Sequence, residues 1–164
     1  MNKEIKEWLD SFRWAFIILI ILYFVCWPVK VRGLSMEKTL KDSDRLLMSR
    51  AMSYIGAYGR GDIVILNLDL NGQNKDIVKR IIAMEGDSIR IKNGEVFLNG
   101  EKLYEPYALG ETLGDVDIVV PEGCVYFLGD NRPESTDSRT LGTIPKSKVS
   151  GKILIRIYPF GKIE

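Results

Sequence analysis

Between Arg13 and Lys30 the sequence runs WAFIILIILYFVCWPV, 16 residues without a charge. As a helix that run is about 24 Å long, close to the roughly 30 Å of a bilayer's hydrocarbon core. Arg13 and Lys30 can extend it by stretching their charged ends toward water. Trp14 and Trp27 stand at its two ends, where interfacial aromatic anchors belong. Apolar residues occupy every face, whereas a helix lying on a membrane surface keeps a polar one. The expected division is a short N-terminus over 1–13, a transmembrane anchor over 14–29 and a second domain over 30–164. A buried helix of a soluble protein is one alternative. A cleaved secretory signal is another, although CWPVKVRG offers no small-x-small cleavage pattern. Basic residues lie on both sides, Lys3, Lys6 and Arg13 before the run and Lys30, Arg32, Lys38 and Lys41 after it. Charge therefore does not set the orientation.

The 164 residues carry 23 Lys+Arg against 22 Asp+Glu, a length that suits one compact domain with an appendage. Balanced charge, with no basic cluster interleaved with aromatics, gives no reason to expect a nucleic-acid partner. The chain has no histidine. A Ser-His-Asp triad cannot be built, nor a zinc site that uses histidine. Cys26 and Cys124 are the two cysteines, too few for a disulfide framework or a Cys-rich metal site. Cys124 is expected to be a small buried hydrophobe.

Beyond Val31 the apolar residues come in short runs with strand character. These are DIVIL (62–66), DIVKRIIAM (76–84), DSIRI (87–91), EVFLN (95–99), DVDIVV (115–120), CVYFL (124–128) and KILIRIY (152–158). Asn-Gly at 93–94 and again at 99–100 predicts hairpin turns. No βαβ rhythm is present. The fold class predicted is mostly β, a mainly antiparallel, partly closed domain behind the N-terminal helix. Residues 134–142 should be a loop or short helical turn, and 104–114 an irregular connection or small flap.

Three stretches hold candidate chemistry. Ser35 lies five residues after Lys30, in LSMEKTL. A serine hydroxyl needs a base before it attacks anything, and without histidine the base must be found elsewhere. Lysine can serve only when neutral, and apolar burial lowers its pKa by several units. Lys79 lies among Ile77, Val78, Ile81 and Ile82. Strand alternation sends Lys79 and Arg80 to opposite faces, one inward and the other toward solvent, without saying which is which. The third stretch is GDNRPESTDSR (129–139), where Asp137 could pair with Arg139 and Ser135 could orient a lysine. Taken singly, Ser35 reads as a turn serine, Lys79 as a solvated strand residue and 129–139 as a polar surface loop.

Together, SM-x-x-TL (35–40), VKRIIAMEGD (78–87) and GDNRPESTDSR resemble the boxes of bacterial type I signal peptidase, a membrane-bound Ser-Lys protease family. RGDIVI (60–65) and NGEVFLNGEKL (93–103) fit as well, in the family's order. The resemblance implies Ser35 as nucleophile and Lys79 as general base. It implies the Ser35 N–H in the oxyanion hole, Ser135 orienting Lys79, and Asp130, Arg132, Asp137 and Arg139 holding the loop. Val29, Val31, Met36, Leu40, Ile77 and Val78 would line shallow substrate pockets. Signal-peptide-bearing preproteins, cut after small residues, would be the substrates, with the lipid bilayer as a further partner and no cofactor or metal. The N-terminus would be cytoplasmic and the catalytic domain extracytoplasmic, with a single pass through the cell membrane. The chain departs from the family pattern at Lys38, where a proline is usual, and at Ser43, where a glycine is usual. Gly33 stands where some members carry an oxyanion-binding serine. Two other readings remain, a self-cleaving Ser-Lys protease of the repressor type and a non-enzymatic, membrane-tethered binding domain. Oligomeric state is open.

Overall fold

The computed structural model describes all residues except 1, 2, 26, 71, 162 and 164, so Cys26 lies outside the described residues. The chain opens with helix α1 (Lys3–Val25). It starts earlier than the apolar run because Lys3–Arg13 contains good helix formers and an i,i+3 ion pair, Asp10 to Arg13 at 3.3 Å. It ends at Val25 because Pro28 biases the residue before it toward extended backbone. Residues Trp27–Lys30 form strand β1 instead. The uncharged part of α1 is therefore Trp14–Val25, about 18 Å long. Among the described residues no helix is long and apolar enough to cross a membrane. The expected helical span over 14–29 is thus divided between a helix and an edge strand.

Two antiparallel sheets follow. The larger holds β1, β2 (Arg45–Ser49), β3 (Ile63–Leu70), β4 (Gln73–Met84), β9 (Cys124–Leu128), β10 (Ile144–Pro145) and β11 (Val149–Tyr158), in the order β1-β2-β11-β3-β4-β9-β10. The smaller holds β5 (Ser88–Lys92), β6 (Glu95–Leu98), β7 (Glu101–Lys102) and β8 (Val116–Val119), in the order β7-β6-β5-β8. Short helices α2 (Arg50–Tyr54) and α3 (Ser138–Leu141) complete the elements used below. Among the described residues neither sheet closes on itself. There β1 bonds only to β2 and β10 only to β9, which corrects the expectation of a partly closed domain.

The hairpins arise where Asn-Gly predicts them. Asn93 and Gly94 have φ of 54° and 79°, and Asn99 and Gly100 have 53° and 85°. Positive φ at both central residues is what a tight, right-twisted hairpin turn requires. β3 is buried on both faces. Val64 and Leu66 enter one core cluster with Ile81, Phe127 and Val149. Ile63 and Ile65 enter a second with Val31, Met36, Leu40 and Leu46. β4 divides in the same way, Ile77 against the first cluster and Val78 against the second. A third cluster, including Ile82, Ile89, Ile91 and Tyr126, joins the two sheets. Cys124 is partly buried against it.

Candidate active site

Ser35 is carried by the connection from β1 to β2, which folds into consecutive tight turns. Glu37 N–H donates to Leu34 O at 2.9 Å and Leu40 N–H to Met36 O at 2.7 Å. Met36 and Leu40 anchor the segment in the second cluster, and both are essentially fully buried. The far side is held by the loop after β9. Asn131 N–H donates to Ser35 O at 3.0 Å, and Asn131 Nδ2 to Leu34 O at 3.1 Å.

Lys79 reaches this serine from β4, with Nζ 2.6 Å from Ser35 Oγ. Only 3% of Lys79 is exposed. Burial pulls its pKa down from the ordinary 10.5 to about 8. The charges of Asp137 and Asp130 oppose that pull, and Arg139 adds to it. Both carboxylates are already committed to arginines, Asp130 to Arg80 at 2.7 Å and Asp137 to Arg139 at 2.8 Å. Their support for an ammonium is correspondingly limited. About a tenth of such a lysine is neutral at pH 7, able to take a proton from the hydroxyl it touches.

Arg80 is buried as well as Lys79, at 7% exposed. This corrects the expectation that one of the two faces solvent. Its guanidinium has partners that alternation cannot foresee. It makes a two-pronged contact to Asp130, donates to Gly61 O at 2.8 Å, and lies 3.9 Å from the centre of the Tyr107 ring. Asp130 also accepts from Thr39 Oγ1 at 2.5 Å, tying the 129–139 loop to the serine segment. Arg132 is buried, donates from Nε to Gly129 O at 3.0 Å, and pairs with Glu105 at 2.6 Å. Asp137 accepts from Gly129 N–H at 3.1 Å and caps α3. Arg139 holds Asp137 and donates to Arg132 O at 2.6 Å. Ser135 makes no hydrogen bond to Lys79. Its Oγ is buried without a partner among the described residues, packed against Gly129.

Several of these contributors carried no role in the sequence reading. Arg80, Asn131, Thr39, Glu105 and Tyr107 all brace the site. Asn131 sits inside the GDNR run and Arg80 beside Lys79, which is the signal the sequence offered for them. Lys38 has φ of 83°, and its Nζ donates to the Pro106 and Ala108 carbonyls of the 104–114 flap.

A groove of about 520 Å³ opens beside Ser35 and Lys79. One wall is Val29–Gly33 and Met36, and the other is Lys75–Val78 with Ile65. Val29, Val31, Met36, Ile77 and Val78 thus line it, whereas Leu40 is fully buried in the core behind. Among the described residues, β4 pairs only with β3 from Gln73 to Lys79, and β9 joins at Arg80. Ile81 N–H donates to Asp62 O on the β3 side at 2.9 Å. By alternation Lys79 and Ile77 also direct their backbone groups to β3, and Val78 and Asp76 direct theirs to the open edge facing the groove.

The family model described as "Signal peptidase, peptidase S26" matches residues 5–158. The chain belongs to that family. Signal peptidase I of Bacillus licheniformis is 39% identical, over 99% of this chain and 94% of the relative. Signal peptidase IB of Staphylococcus aureus (strain COL) is 35% identical, over 100% of this chain and 95% of the relative. A crystal structure of a signal peptidase I from Enterococcus faecalis V583 superimposes with a TM-score of 0.52 and 26% identity, covering 59% of this chain and 97% of that one. The mostly antiparallel β architecture is therefore that of a type I signal peptidase, and the chain is a hydrolase of the serine-protease kind.

Proposed function

We propose that this signal peptidase removes N-terminal signal peptides from exported preproteins by a Ser35–Lys79 dyad acting through an acyl-enzyme. The observation that carries the reading is the 2.6 Å contact between a buried lysine of lowered pKa and Ser35 Oγ. Neutral Lys79 takes the hydroxyl proton as Ser35 Oγ bonds to the scissile carbonyl, and the proton then passes to the departing amine. Lys79 next deprotonates a water, which adds to the ester carbonyl, and Ser35 leaves with the proton restored. The Ser35 N–H serves the oxyanion, with no side chain at Gly33 to assist. Ser135 is assigned the orienting role because its buried hydroxyl, beside the Ser35 segment, is uncommitted among the described residues.

The substrate lies in the groove as an added strand, bonded to the Asp76 and Val78 backbone. The residue before the cut (P1) and the second before that (P3) point toward Val78, Val31 and Met36. The shallow apolar space there favours small side chains of the Ala-x-Ala type.

Membrane attachment through α1 belongs to the same proposal. Trp8, Phe12, Phe16 and Leu19 are each more than 60% exposed, and a bilayer is the cover such a helix needs. With an uncharged helical stretch of about 18 Å, crossing a bilayer would draw Arg13 and the start of β1 into the headgroup region or thin the bilayer locally. The N-terminus would be cytoplasmic and the catalytic domain on the extracytoplasmic face. This seats Ser35 where a preprotein's signal segment leaves the lipid.

The test is cleavage of an Ala-x-Ala preprotein in nonionic detergent, mapped by mass spectrometry. The wild type should cut after P1, and Ser35→Ala and Lys79→Ala should not. Stoichiometric self-cleavage without turnover would favour the repressor-type reading. A folded wild type inert on several preproteins with lipid supplied would favour a binding domain.

A further inference from the structure

We propose that Lys75, at the far end of the groove, selects for an acidic side chain at the fourth residue before the cut (P4). The inference rests on the protease reading and on strand addition along β4, and adds a position at which the site reads charge. Val78 packs on the cluster that contains Val31 and Met36, whereas Ile77 packs on the other face of the sheet. Lys75 shares the face of Ile77 by alternation.

A substrate strand added to this edge places each residue opposite a β4 residue, with both side chains on one face. Attack by Ser35, held by Lys79, sets P1 opposite Val78. The residues before the cut occupy the groove toward Lys75, so the substrate runs parallel to β4. P2 then stands opposite Ile77, P3 opposite Asp76 and P4 opposite Lys75.

The charges at that end are uneven. Lys75 is exposed and, among the described residues, makes no ion pair. Lys30 and Arg32 add positive charge to the opposite wall, where Asp42 offsets part of it. Asp76 lies on the pocket face, one residue out of register with Lys75, and accepts from Asn67 Nδ2 at 2.7 Å. An acidic P4 therefore meets a lysine, while an acidic P3 meets a carboxylate.

The experiment uses the full chain in nonionic micelles and a peptide with Ala at P1 and P3 and Gln, Glu or Lys at P4. The wild type should prefer Glu over Lys in kcat/KM by about two- to fivefold, the size an exposed ion pair supports, and about 1 M salt should flatten the preference. Lys75→Glu should reverse the order and Lys75→Gln should level it. Moving the Glu from P4 to P3 should remove its advantage, which a general cationic attraction would not do. Equal rates for Glu and Lys in the wild type, or an unchanged preference in Lys75→Glu, would overturn the proposal. No cleavage of the Gln peptide by the wild type would instead overturn the protease reading, and this one with it.

Discussion

The backbone of Gly129 stands directly against the carbonyl oxygen of Ser35. A β-carbon at 129 would lie 2.5 Å from that oxygen and closer still to Ser135 Oγ. The Ser35 carbonyl cannot give way freely, since it is already bonded by Asn131 N–H at 3.0 Å. Gly129→Ala should push the nucleophile away from Lys79. The expected loss in kcat/KM is on the order of a hundredfold, with about 1–3 kcal/mol of stability lost to overpacking. Peptide kinetics beside urea unfolding would check both, and near wild-type kinetics would show that this contact does not position the nucleophile.

The lowered pKa of Lys79 has two consequences for pH. Activity needs the neutral amine, so kcat/KM should rise about tenfold per pH unit below 8 and level off above it. Stability follows from the same shift. Between about 8 and 10.5 the unfolded chain holds a proton that the folded chain has released, so stability from this group rises with pH across that window. Below pH 8 the folded state carries a constant penalty of about 3 kcal/mol. Lys79→Met should therefore be inactive yet more stable than wild type at pH 7, with the advantage fading from pH 8 to 10.5. Chemical denaturation at several pH values measures this directly.

Arg80 and Asp130 form an ion pair with side chains only 8% and 1% exposed. Asp130→Asn leaves the guanidinium buried opposite a neutral amide, at a cost of about 3–5 kcal/mol. The amide keeps one acceptor oxygen where Arg80 and Thr39 now share two, so activity should fall together with Tm. A variant within 1 °C of wild type would show that the pair contributes little.

Lys38 and Ser43 sit at φ of 83° and 72°. Ser43 occupies a backbone conformation that costs a side-chain-bearing residue about 1–2 kcal/mol, so Ser43→Gly should raise Tm by a few degrees. Lys38→Pro should act the other way, because a proline ring holds φ near −65°. A proline at this position would thus disturb the serine segment of this chain. Calorimetry on the two single variants gives the sign of each.

The Ser35–Lys79 pairing was legible because both residues lie in motifs whose order and spacing are specific. The hairpins at 93–94 and 99–100 were legible because Asn-Gly encodes its own backbone. The burial of Arg80 was not, since the partners that permit it, Asp130 and Tyr107, come from segments 50 and 27 residues away. β1 was hidden inside the apolar run, where hydropathy outweighs the local signal of Pro28. β2 was missed because RLLMS lacks the alternation that marks a half-buried strand. Leu40 was assigned to the groove through resemblance, yet packing alone places it in the core.

The bare stretch of β4 from Gln73 to Lys79 has a consequence for handling the purified protein. An unpaired strand flank is a template on which a second molecule can zip up. In a groove already occupied by peptide that template is covered, and in an empty one it is open. Lys75 and Asp76 put an exposed charge on each face of that flank, which a second strand would have to accommodate, the kind of edge charge that limits strand-to-strand association.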